Sequence, residues 1–177
     1  MIFKRLAPFL LAFVLPLVLV YAWWGGFNPV SMGTETRGPY TYAYLEQTGD
    51  YSKLPNRQNE VRMSLEAQGV APGHGITVLY SNPDVVEVNA RRARAGYLVP
   101  EGSVVHEPLH VDSIPARRVL AARVQAGALL APSRVYSVLD RHLQASGQGI
   151  RMPTVEIFEA SGSPFRMGWL TVEVPEQ

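Results

Sequence analysis

Residues 118–160, RVLAARVQAGALLAPSRVYSVLDRHLQASGQGIRMPTVEIFEA, decide the fold. The stretch opens inside an extended run, Arg117–Gln125, which Gly127 breaks. Ser133 is an acceptable helix N-cap. Val135, Val138, Leu139, His142 and Leu143 then follow the i, i+3, i+4, i+7, i+8 stripe of a helix that turns one face to a core. Gly147 ends that helix, and Thr154–Glu159 and Arg166–Val174 read as the strands that follow. Residues 40–82 repeat the same order. At a fixed shift of 78, Ala43, Gln47, Gly49, Leu65, Ala67 and Gly69 fall on Ala121, Gln125, Gly127, Leu143, Ala145 and Gly147, and Tyr80 falls on Phe158. In this copy Tyr40–Gln47 alternates as a strand. Ser52–Gln68 is helical, with Leu54, Val61 and Leu65 on one side and Pro55 in the first turn. Gly75–Tyr80 and Arg92–Val99 supply two more strands, separated by the turn Asn82-Pro83-Asp84. The expected fold is α+β: tandem strand–helix–strand–strand units forming a mainly antiparallel sheet with two helices on one face. Two half-units related by a pseudo-twofold leave a cleft where they meet, a common place for a ligand.

Working outward, the N-terminal segment differs in kind. From Leu6 to Phe27 no residue is charged, which matches the length a helix needs to cross the hydrocarbon core. Lys4 and Arg5 precede this run, and the next charges are Glu35 and Arg37, so the positive-inside rule keeps the N-terminus cytoplasmic and puts the rest in the periplasm or outside the cell. Tyr21, Trp23 and Trp24 suit an interfacial belt. Residues 1–27 therefore read as a transmembrane anchor, with a signal peptide cleaved after Val20-Tyr21-Ala22 as the rival reading. Residues 28–39, rich in Gly, Pro, Ser and Thr, read as a linker, and 40–177 as the domain.

Composition narrows the chemistry. The 177 residues suffice for one domain and an appendage, and cysteine is absent, which excludes a thiol nucleophile, a disulfide framework and Cys-ligated metal. With 16 basic and 15 acidic residues and no basic stripe, nucleic acid is not expected as a partner. His106-Glu107-Pro108-Leu109-His110 spells H-E-x-x-H, but Pro108 and the extended flanks do not offer the helical turn that zinc needs. No metal or cofactor is implied.

The soluble part, about residues 40–176, resembles a GyrI-like small-molecule-binding domain, the effector-binding fold also found behind AraC- and MerR-type DNA-binding heads. The resemblance is carried by Gly49-Asp50-Tyr51, Tyr80-Ser81-Asn82-Pro83, Glu156-Ile157-Phe158 and the ending Leu170–Pro175. It implies a cleft for apolar, often cationic, aromatic compounds, held by aromatic side chains and a buried acid. Some members are similar to hydrolases that open strained rings. A membrane helix stands where the regulators carry a DNA-binding head, so the chain resembles a membrane-anchored branch of the family.

Glu156, between Val155 and Ile157 in a strand, is the first candidate ligand contact, because a carboxylate in an apolar cleft needs a partner or a cationic ligand. Strand alternation turns it away from the core if its neighbours line that core, and the cleft is then expected on the helix-free face of the sheet. Tyr44, Tyr80, Phe158 and Trp169 are the candidate aromatic walls, and His142 is expected in the core. The leading expectation is a membrane-anchored binder of an apolar or cationic small molecule. The alternatives are a hydrolase with Glu156 as acid/base and a membrane-tethered interaction module with a vestigial pocket.

Overall fold

A computed structural model describes residues 2–162 and 167–176. Helix α1 (Ile2–Trp23) precedes eight strands and two further helices: β1 (Ser31–Arg37), β2 (Tyr40–Thr48), α2 (Leu54–Ala67), β3 (Gly75–Leu79), β4 (Arg92–Leu98), β5 (His110–Ile114), β6 (Arg117–Gln125), α3 (Ala131–Ala145), β7 (Thr154–Glu159) and β8 (Trp169–Pro175). All eight strands form one sheet, in the order β1-β6-β8-β7-β3-β4-β2-β5, and every neighbouring pair is antiparallel. Among the described residues, which for the side chains of α1 begin at Leu11, no helix is long and apolar enough to cross a membrane.

The order is palindromic. Reading outward from the β3–β7 pair, β4, β2 and β5 on one side answer β8, β6 and β1 on the other. The internal repeat is therefore a structural one, but its shift is not constant. Tyr40–Thr48 corresponds to Arg117–Gln125 and Arg92–Leu98 to Trp169–Pro175, a shift of 77. Helix α3 has 15 residues against 14 in α2, which moves the helix-ending Gly69 onto Gly147, with φ of 73° and 69°. At the centre Thr77 pairs with Glu156, a shift of 79. The fixed shift of 78 is the compromise between these values.

Residues 28–39 are not a free tether. Ser31–Arg37 is the edge strand β1, paired along its length with β6. Its counterpart β5 was likewise not expected, because both strands are short of large apolar residues. Arg166 of the expected last strand lies outside the described residues, and that strand begins at Trp169. Ser133 lies inside α3, its hydroxyl bonded to the Leu130 carbonyl at 3.0 Å, and Leu130 takes the capping position.

The links between the repeats roll the sheet. β1 ends at Arg37 and β2 starts at Tyr40; β5 ends at Ile114 and β6 starts at Arg117. Each link joins strands six places apart. Six strand spacings in a flat sheet are about 29 Å, whereas three Cα steps reach only about 11 Å. The sheet must curl until its ends meet. Gly38 and Pro115 touch at the crossing: Gly38 has φ of 89°, and a Cβ there would lie 3.1 Å from the Pro115 carbonyl oxygen. The inside of the roll is the helix-free face, and it is packed solid with Tyr42, Tyr44, Ile76, Val78, Val155 and Ile157. On the outer face, Val61 and Leu65 of α2 pack over Ala43, while Ala131, Val135, Leu139 and Leu143 of α3 pack over Ala122, Val124 and Val172. His142, expected in this stripe, is exposed, since the buried positions recur every four residues and pass it by.

Glu173 on β8 fastens the crossing. Its fully buried carboxylate accepts from Arg37 Nε at 3.0 Å, Tyr40 Oη at 2.7 Å and Arg117 Nη2 at 2.9 Å. These three donors stand at the end of β1 and the starts of β2 and β6, so one acid holds both links. Removing one partner of a buried ionic cluster leaves the others uncompensated and costs about 3 kcal/mol. Glu173→Gln should therefore lower the melting temperature of the full chain in detergent by roughly 6–12 °C. A change within 2 °C would show that the links hold without it.

Candidate functional site

The candidate cleft follows from which strands the helices leave bare. Helix α2 packs on β2 and β4, and α3 packs on β6 and β8. The central pair, β3 and β7, is left between them. Side chains alternate across a sheet, so Ile76, Val78, Val155 and Ile157 enter the rolled core, and Gly75, Thr77, Glu156 and Phe158 face the gap between the helices. The result is a cleft of about 730 Å³ on the helix-bearing face, not on the helix-free face, because the roll fills the latter.

The walls are mainly carbon. Pro55 and Pro132, equivalent positions in the two repeats, begin their helices and both line the cleft. Proline at a helix start removes an N–H, so these two helix ends do not present the full set of donors that cradles an anion. Tyr51 and Tyr97 add aromatic surface. The Tyr51 hydroxyl is fixed by bonds to the carbonyls of Ser81 and Arg92, at 2.9 and 2.8 Å. Gly75 admits Gln58, whose amide would stand 2.7 Å from any added Cβ.

Glu156 sits on the floor, directly across the strand pair from Thr77 and therefore on the pseudo-twofold. Its Oε1 accepts a 2.8 Å hydrogen bond from Tyr136 Oη, which also lies 3.0 Å from Thr154 Oγ1. Among the described residues no ion pair reaches Glu156, and no arginine or lysine lines the cleft. Burial raises its pKa above the ordinary carboxylate range, and the Tyr136 hydrogen bond pulls the other way. Burial likewise raises the Tyr136 phenol, helped by the neighbouring carboxylate.

Of the residues singled out in the sequence, the cleft brings together Glu156 and Phe158. Tyr44 is buried on the opposite face, with the Arg94 guanidinium 4.3 Å above its ring. Tyr80 lies near the same guanidinium, at 5.3 Å. Aligned with Phe158 at a shift of 78, Tyr80 would share its face; the true local shift of 79 makes Leu79 the equivalent of Phe158 in the repeat, and one residue of slip reverses a strand face. Trp169 stacks on Arg123 at 4.5 Å and lines a neighbouring hollow, not the cleft. His106 lies in a loop and His110 on β5, and among the described residues no cluster of His, Asp and Glu could hold a metal. Sequence reasoning missed Tyr136 and Thr77. The available signal for Tyr136 was its place four residues after Pro132, beside the stripe Ala131, Val135 and Leu139.

Comparison with known proteins agrees with this architecture. The GyrI-like small molecule binding domain matches residues 34–148. The chain belongs to the GyrI-like family. Among curated proteins none matches the sequence. Among solved structures, the GyrI-like fold here is similar to the EcmrR–DNA complex in EcmrR-RPo, with a TM-score of 0.62 at 10% identity over 82% of this chain. The chain spans 57% of the length of that protein. The EcmrR C-terminal domain gives 0.58 at 12% identity, covering 84% of this chain and 97% of that one. SAV2435 bound to tetraphenylphosphonium gives 0.57 at 8% identity, covering 81% and 93%. At these identities the likeness shows the fold alone. The first of these neighbours was solved on DNA, a property of that protein and not of the shared fold.

The raised carboxyl of this GyrI-like cleft makes stability depend on pH. Between the ordinary value of 4.5 and the raised one, the unfolded chain has lost a proton that the folded chain keeps, so stability falls as pH rises through that window. Glu156→Gln keeps an acceptor for Tyr136 and removes the titration. The variant should melt measurably above the parent at pH 8 and level with it at pH 4. An equal difference at both pH values would place the carboxyl in an unstrained setting.

Proposed function

We propose that this chain is a membrane-anchored binding protein whose cleft takes a small molecule with an apolar, aromatic body and a positive charge. Glu156 carries the reading. Among the described residues it is the one acid on a largely carbon-lined floor, with Tyr136 as its hydrogen-bond donor and no arginine or lysine beside it. A ligand cation restores the charge that burial disfavours, and the rings of Tyr51, Tyr97 and Phe158 offer π-faces to it. The tetraphenylphosphonium held by SAV2435 is a molecule of this class.

The anchor is residues 6–27, crossing once, with the N-terminus cytoplasmic and the domain periplasmic or extracellular. Its support is the uncharged run itself and the outward-facing side chains of α1, with Phe13 74% and Leu17 70% exposed. A water-soluble helix does not present such a surface all round.

A second reading, a hydrolase acting on an electrophilic small molecule, is favoured by the 2.8 Å contact between Tyr136 and Glu156. The tyrosine would hold the carboxylate while it takes a proton from an attacking water. Turnover of styrene oxide that is lost in Glu156→Gln would establish it, and absence of turnover would dismiss it.

Tetraphenylphosphonium at a hundredfold excess over Kd should stabilise the full chain in detergent by about 2.7 kcal/mol. The affinity should fall by up to ~10-fold per pH unit below the raised Glu156 pKa, since binding expels that proton. Glu156→Gln should bind the cation more weakly with no pH dependence, while neutral triphenylmethanol binds parent and variant alike. Equal cation binding by parent and variant would overturn the role of Glu156.

A further inference from the structure

We propose that the ligand reaches the cleft from the bilayer, through a vestibule walled by Trp23 at the end of the anchor and Trp169 at the start of β8, and that the natural ligands are amphiphiles that partition into lipid. The inference rests on the cleft and anchor readings above.

Three observations carry it. First, the end of α1 is pinned to the domain, not hung from it. The Gly127 backbone N–H donates to the Trp24 carbonyl at 2.9 Å, the Asn28 side-chain Nδ2 donates to the Gln125 carbonyl at 2.6 Å, and Arg134 Nη2 donates to the Asn28 carbonyl at 2.7 Å. The residue after Gly127 is Ala128, which lines the cleft. The hydrogen bonds that hold the end of α1 and the start of the cleft wall thus fall on neighbouring residues, Gly127 and Ala128.

Second, the hollow between Trp23 and Trp169, about 620 Å³, adjoins the cleft. His74 and Ala160 line both spaces. A molecule that enters between the two tryptophans passes these residues to reach Phe158 and Glu156.

Third, the surface around the joint is apolar where a soluble domain is polar. Trp23 is 66% exposed, Phe27 66% and Leu129 83%. Leu129 lies two residues beyond the amide that holds the anchor. Tryptophan settles at the headgroup level of a bilayer, so with α1 in the membrane the vestibule opens at the depth where an amphiphile rests, its apolar part already in lipid.

The chain has no cysteine, which makes a reversible block possible. Trp169→Cys, or Trp23→Cys should that variant not fold, is reconstituted as the full chain in phosphatidylcholine vesicles and modified with a benzyl methanethiosulfonate. Dodecyltriphenylphosphonium is the probe. Association should follow the probe's concentration per lipid, not per volume of water. Modification should slow association and dissociation at least 10-fold with Kd changed less than 2-fold, and a reducing agent should restore both rates. Equilibrium binding with unchanged rates, or rates that follow the aqueous concentration, would overturn the route and leave the cleft reading intact. No binding by the unmodified protein would overturn both.

Discussion

The antiparallel pairing of β3 with β7 is the constraint on which the rest of the structure depends. It joins two copies of one unit at the centre of a continuous sheet, with Thr77 opposite Glu156. Because each helix covers the outer strands of its own copy, the pairing leaves the middle of one face bare. Because strand faces alternate, the same register sends Ile76, Val78, Val155 and Ile157 into the core and Glu156 into the gap. Slipping the pair by one residue would exchange the two sets, burying the acid in the roll and lining the cleft with aliphatic side chains.

Much of this was legible in the sequence, and the misses have identifiable causes. The repeat, both helices and six strands follow from periodicity and from glycines at matching places. Edge strands β1 and β5 do not, because edges are paired on one side and carry few large apolar residues. Glu156 and Phe158 stand out in the sequence as an acid and a ring on a strand near the junction of the two units, and alternation along β7 turns both to the same side. Placing the cleft on the correct face needed the roll of the sheet, which is set by two short links whose ends lie far apart in strand order. No local pattern reports that. Tyr80 shows how sharp the limit is, since a repeat shift wrong by one residue is enough to put a ring on the wrong side of a sheet.

Two acids of the domain, Glu173 fully buried and Glu156 half-buried on the cleft floor, are treated oppositely. Glu173 is met by two guanidinium groups and a phenol, and its charge is spent on closing the sheet. Among the described residues Glu156 is met by one phenol and no arginine or lysine. Folding alone explains the first. The second has a hydrogen-bond donor but no counter-charge among the described residues, and the proposed binding of a cation rests on that difference.

The pair at the pseudo-twofold has one more consequence. If both copies carried glutamate there, two carboxylates would face each other across adjacent strands, share a proton, and treat either end of a guest alike. With threonine in one copy the floor has a handed polarity. The two walls of the hollow are therefore alike in backbone and unlike in side chains, so a molecule lying across it would meet different chemistry at its two ends.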